Sequence, residues 1–208
     1  MIRLLGTSHI SPKSVQSIKD EIDKEPDCVA VELDEGRYRA MKRGGSESYP
    51  SLFFKVLSWL QKRLAKKTGV LPGEEMMSAT DRAMERNIEV YLIDRPIHIT
   101  VERFQNIGIL EKIKLILFSM GRFSGYDFDL NEVPSAELIE ESMEVMRRRA
   151  PGMYSVLVEE RDERMSKALV GLSDEYDTVL AVVGAGHITG IKRRLDEKGL
   201  EYVDKTFK

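Results

Sequence analysis

The 208-residue chain carries 32 Lys and Arg against 35 Asp and Glu, a formal net charge of −3, with 42% hydrophobic and 32% charged residues. That balance supplies enough apolar material for a folded core and excludes a disordered polar chain. It also argues against nucleic acid as a partner, because counterion release needs a clustered excess of Lys and Arg. The single cysteine, Cys28, leaves no internal disulfide and no cysteine-built zinc site, and it suits a reducing compartment. The apolar start, Met1 to Leu5, is shorter than the roughly 7–15 residues of a signal-peptide core. No run approaches about 18 apolar residues. A protein of the cytoplasm, or of the cytoplasmic face of a membrane, with no signal peptide and no transmembrane segment is expected.

Four short apolar runs share one grammar, a strand followed by polar residues and a helix: Arg3 to Leu5, Cys28 to Leu33, Ile88 to Ile93 and Val179 to Val183. This predicts an α/β fold with a parallel or mixed central sheet. After the first run come Gly6-Thr7-Ser8-His9 and then Ser11-Pro12, a capping serine with proline at the first helical position, opening a helix to about Glu25. The second run ends in Glu32-Leu33-Asp34 and enters a helix carrying Arg37 and Arg39. The third ends in Asp94-Arg95-Pro96. The fourth ends in Gly184-Ala185-Gly186-His187 before a helix to about Lys198, and residues 201–203 add a last short strand. Helical insertions over about 50–87 and 100–172 are too long for simple crossovers, so a large helical cap is expected beside the sheet. The whole of 1–208 reads as one domain.

In an open parallel sheet, ligands bind beyond the carboxyl ends of the strands. His9, Glu32 with Asp34, Asp94 and His187 all fall at such ends, so residues far apart in sequence can meet in one cleft. Two imidazoles with a carboxylate suit a divalent metal ion with open positions, such as Mn, Co or Zn, and hence hydrolysis or peptide-bond chemistry. Of the three histidines, His9 and His187 each close a Gly-x-x-His turn, while the apolar neighbours of His98 favour a structural role.

The paired Gly-x-x-His turns, Ala30-Val31-Glu32-Leu33-Asp34-x-x-Arg37-Tyr38, Asp94-Arg95-Pro96, Glu160-Arg161-Asp162 and Val183-Gly184-Ala185-Gly186-His187-x-x-Gly190 resemble, in order, the motifs of the TraB/PrgY family. That family is related to the TIKI and GumN proteins and more distantly to the ChaN/erythromycin-esterase-like group. The resemblance implies an essential glutamate and arginine beside the paired histidines. It implies metal-dependent proteolysis, as in TIKI members, or inhibition of a peptide pheromone, as in PrgY-type members. Carried onto this chain, His9 and His187 hold the metal with Asp94 as a further ligand. Glu32 completes the set or acts as general base on metal-bound water. Arg161 or Arg37 steadies an anionic intermediate or a substrate carboxylate. A metal-dependent peptidase or peptide hydrolase is the leading expectation, and a non-catalytic protein that binds or sequesters peptide is the alternative.

Other readings compete locally. Glu32 could simply pair with Arg37, and Glu159, Glu163 and Arg164 read as a solvated helix face. Gly184-x-Gly186-x-x-x-Gly190, with Asp204 twenty residues after Gly184, imitates a dinucleotide fingerprint, but an imidazole at position 187 would crowd the pyrophosphate. Cys28 reads as core. The basic amphipathic segment 50–67 is expected to pack in the cap or in a homodimer, with contact to an anionic membrane as its other use.

Overall fold

The computed structural model describes residues 1–7, 12–43, 74–111 and 136–206. His9, the segment 50–67 with its expected dimer and membrane contacts, and the expected break near residues 121–131 lie outside these.

Five parallel strands form one sheet in the order β3-β2-β4-β1-β5: β1 (Ile2–Thr7), β2 (Cys28–Val31), β3 (Glu89–Leu92), β4 (Val179–Gly184) and β5 (Tyr202–Asp204). The four expected strands and the short last one are all present. The pairing register places Ile2 beside Val179 and Thr7 beside Gly184, and it sets Cys28 against both Val179 and Glu89. The two strands that lead into the Gly-x-x-His turns are therefore immediate neighbours, and β4, late in sequence, occupies the centre of the sheet.

Alternation along the strands divides the core into two layers, because successive side chains of a strand point to opposite faces. On one face Leu4, Ala30, Ala181 and Val183 pack against Met165, Leu169 and Leu172 of α7 (Glu160–Glu175) and Ile188, Ile191 and Leu195 of α8 (Ala185–Asp196). On the other, Leu5, Val29, Val31, Leu180 and Val182 meet Ile18 and Ile22 of α1 (Pro12–Ile22) and Met76, Ala79 and Ala83 of α3 (Glu74–Glu85). The strands are apolar at both parities since helices cover both faces, as parallel sheets require. Cys28 is fully buried in the first layer, and burial pushes its thiol up to about 12, so it serves as core.

Helix α1 stops short of Glu25, whose backbone takes φ 52° and turns the chain into β2. Helix α2 (Glu35–Lys42) is opened by Asp34, whose carboxylate accepts from the Gly36 and Arg37 amides at 2.9 and 3.3 Å. Beyond β3, α4 (Ile97–Gln105) begins directly after Pro96, slightly earlier than expected. His98 is exposed there, so it has no place in a core. Helix α5 (Ala136–Arg149) leads to a one-turn helix, α6 (Pro151–Tyr154), and a π-helical segment, Ser155–Glu159, that runs straight into α7. A separate apolar cluster of Phe104, Ala150, Met153 and Val156 joins α4 to this helical stretch. Among the described residues no helix is long and apolar enough to cross a membrane.

Leu180 lies on the central strand with no exposed surface. Leu180→Ala is expected to lower unfolding free energy by about 2–5 kcal/mol. A urea denaturation midpoint close to that of the parent protein would contradict this placement.

Candidate functional site

Glu32, Asp94 and His187 each lie just beyond the end of a strand. Glu32 is the first residue beyond β2, and its amide still donates to Val182 O at 3.0 Å, which ties it to β4. Asp94 follows β3, with its amide donating to Leu33 O at 3.1 Å. His187 lies in the first turn of α8, immediately after β4. Glu32, Asp94 and His187 are buried, at 5%, 5% and 7% exposure.

Arg161, from the first turn of α7, connects them. Its Nη2 donates to Glu32 Oε1 and, at 2.7 Å, to Asp94 Oδ2, while Nε donates to Asp94 Oδ1 at 3.0 Å. Nη1 donates to Leu157 O at 3.2 Å and lies 3.1 Å from His187 Nε2. The second Glu32 oxygen accepts the Gly184 amide at 2.6 Å. The π-helical turn matters here, because such segments offset the backbone ladder and leave carbonyls for side chains. The Leu157 carbonyl accepts from Arg161, and the Val156 carbonyl accepts from Arg95 at 2.8 Å. Arg95 also pairs with Glu160, the neighbour of Arg161, and its Nε donates to Thr100 Oγ1 at 3.2 Å.

Asp162 completes the set from the next position of α7. Its Oδ1 lies 2.6 Å from His187 Nδ1, and it is 1% exposed. A glycine makes that approach possible: a Cβ at Gly190 would sit 1.9 Å from Asp162 Oδ2. Gly190, part of the apparent dinucleotide fingerprint, is thus explained by a carboxylate, and Asp204 accepts from Lys192 at 2.9 Å. In the first Gly-x-x-His turn, a Cβ at Gly6 would meet Thr206 and Ile188 at 2.7–2.9 Å, so close packing also explains that glycine.

Three carboxylates, Glu32, Asp34 and Asp94, converge on Arg37 and Arg161, while the fourth, Asp162, faces His187 and is reached by Arg194 at 3.9 Å. Burial works against a charge on His187, but the Glu32 carboxylate and the hydrogen bond to Asp162 outweigh it, and the imidazole is pushed up to about 9. Burial also pushes the Asp162 carboxyl up, so the two compete for the proton between them. The net direction is toward imidazolium, because Glu32 Oε1 faces Nε2 at 3.4 Å. The ring has a partner in either state: Nε2–H faces Glu32, and a neutral Nε2 accepts from Arg161. Burial alone would lower the Arg161 pKa, yet Glu32 and Asp94 hold its guanidinium well above the ordinary arginine value.

Protonated His187 and the three guanidiniums match the four carboxylates in charge. Among the described residues no group of three or more His, Cys, Asp or Glu is placed to hold a metal ion. The described donors do not fit a metal as they stand, since Glu32 and Asp94 are engaged by Arg161. His9, the other expected ligand, lies outside the described residues.

The structure brings together Glu32, Asp94, Arg161, His187 and Arg37. Arg37 pairs with Asp34 at 2.8 Å and with Asp94, and it donates to the Glu32 backbone carbonyl at 3.1 Å. The carboxylate of Glu32 goes to Arg161 instead. Glu159, Glu163 and Arg164 are exposed, as a solvated face requires. Asp162 and Arg95 were not singled out from sequence. A signal for Asp162 existed, because it shares the spacing of Met165, Leu169 and Leu172 on the buried stripe of α7.

The raised His187 pKa implies a stability profile. Its ordinary value is about 6.5, so its contribution is complete below that pH and is lost as pH rises toward 9. The slope should reach up to about 1.4 kcal/mol per pH unit. Asp162→Asn is expected to flatten it. Gly190→Ala should do the same by displacing Asp162, with a further loss of about 1–3 kcal/mol from overpacking. Denaturation midpoints across pH 6.5–9.5 and imidazole NMR titration check all three proteins, and equal slopes would refute the assignment.

The model of the TraB/PrgY/gumN family matches residues 1–202. The chain is 32% identical over 213 aligned residues to the uncharacterized protein MJ1365 of Methanocaldococcus jannaschii, an alignment covering 93% of this chain and 53% of that protein. It thus spans about half the length of that relative. Glu32, Asp94 and His187 of the ordered strand-end motifs converge on Arg161, in agreement with the match over residues 1–202, and the chain belongs to the TraB/PrgY/gumN family.

Proposed function

We propose that this is a hydrolytic site for peptide-like substrates in which His187 moves the proton. The observation that carries the reading is the 2.6 Å contact between His187 Nδ1 and Asp162. A carboxylate on Nδ1 fixes the ring and leaves Nε2 as the working nitrogen, the arrangement that a general base needs. In the neutral ring, the minor form until pH approaches 9, Nε2 takes a proton from water as the water oxygen attacks the substrate carbonyl. Nη1 of Arg161 then loses its imidazole acceptor, and its N–H can turn to the oxyanion. The imidazolium, balanced by Glu32, returns the proton to the leaving amine. Glu32 acts as a positioning residue by holding Arg161 and the Gly184 amide together. Peptide as the substrate class rests on the family resemblance.

Incubation of the protein with a defined peptide pool, followed by mass spectrometry, tests this reading. Cleavage is expected, with His187→Ala lowering turnover by at least about 100-fold and Glu32→Gln also impairing it. Saturable peptide binding without cleavage would replace the hydrolase with a sequestering protein. The metal-dependent form of the proposal depends on His9. Titration of chelator-stripped protein with Mn, Co and Zn decides it, because stoichiometric binding lost in both His9→Ala and His187→Ala would show that His9 supplies what the described donors lack.

A further inference from the structure

Beside the ionic cluster lies a cavity of about 480 Å³, within the range of small-ligand sites. Asp34 and Asp94 line the part of its wall that belongs to the ionic cluster. Tyr38, Met84, Val90 and Leu92 give it apolar wall, and Arg164 of α7 lines it as well. Arg164 stands three residues beyond Arg161, about one helical turn, so the two guanidiniums lie on adjacent turns of one helix.

The charges of this cavity are unequally satisfied. Asp34 pairs with Arg37, Asp94 pairs with Arg37 and Arg161, and Glu35 pairs with Arg39 at 2.6 Å. Arg164 is exposed and, among the described residues, makes no ion pair or hydrogen bond. The nearby Lys42 ammonium is not part of the wall and lies 5.2 Å from the Tyr38 ring centroid. An unpaired guanidinium beside apolar wall, in a cavity that shares Asp34 and Asp94 with the ionic cluster, selects a ligand carrying a carboxylate next to an apolar side chain.

We propose that Arg164 is a specificity-determining residue that binds a substrate carboxylate, with the neighbouring apolar side chain seated against Tyr38, Met84 and Leu92. This rests on the hydrolytic reading for the word substrate, but the binding step does not. The carboxylate has two possible sources, a free peptide C-terminus or an acidic side chain, and both present the same oxygens to the guanidinium.

Calorimetric titration with three probes tests the assignment without turnover: N-acetyl-Leu-Leu as the free acid, the same dipeptide as its C-terminal amide, and N-acetyl-Leu-Glu amide. The expected result is binding of at least one acid at least about tenfold more tightly than the neutral amide. Preference for the first acid identifies the C-terminus, and preference for the second identifies an acidic side chain. Arg164→Gln should remove the discrimination while leaving the amide unaffected, and Arg164→Lys should restore part of it. Equal affinity for acids and amide, no binding of either acid, or discrimination that survives in Arg164→Gln would overturn the proposal. Binding without cleavage would leave this subsite standing and remove the hydrolase; cleavage indifferent to Arg164 and to the carboxylate would do the reverse.

Discussion

One guanidinium, that of Arg161, holds together the ends of three strands. Glu32 after β2 and Asp94 after β3 would repel each other in a buried space, and neither could keep its charge there unpaired. Arg161 resolves that conflict and makes the cluster sensitive, because removal of one partner from a buried ion pair typically costs about 3–5 kcal/mol. The cleft is therefore a structural joint between sheet and helix as well as a chemical site. Its rigidity follows from the same bonds that set its reactivity.

The supports of that joint are distributed over the helical part of the chain. The π-helical turn presents Leu157 O and Val156 O to two different arginines, so the backbone itself reads the position of Arg161 and Arg95. Arg95 grips Glu160, which precedes Arg161 in the chain. On the opposite side, the tight fit of Asp162 against Gly190 fixes α7 relative to α8 and aims the imidazole. A change of register in α7 by one residue would break every one of these contacts together.

The sheet was legible in the sequence because each strand is a short apolar run ending in turn chemistry, and burial on both faces leaves little ambiguity about where it lies. The strand-end residues Glu32, Asp94 and His187 were legible for the same reason, since topology alone places strand ends together. The partners were harder to read. Arg37 and Arg161 share Asp94 but differ in their other carboxylate, Asp34 for Arg37 and Glu32 for Arg161, and the long-range pairs depend on side-chain reach that spacing does not encode. Asp162 stood among alternating charges that resemble a solvated surface, although its spacing with Met165 and Leu169 marks it as inward-facing. The role of Gly190 emerges only when two helices are packed, because nothing near it in sequence explains the missing side chain.

The central place of β4 has a consequence for how the molecule is made. β1 and β2 do not pair with each other; both pair with β4, whose residues leave the ribosome roughly 150 positions after β2. Until then β1 has no strand partner and β2 has only β3, a condition that favours slow, non-local folding and exposes unpaired edges. Closure of the sheet and assembly of the cleft become a single late event, since the segment that fills the gap also delivers His187. A nascent chain halted before that point would be unfinished in both its architecture and its chemistry.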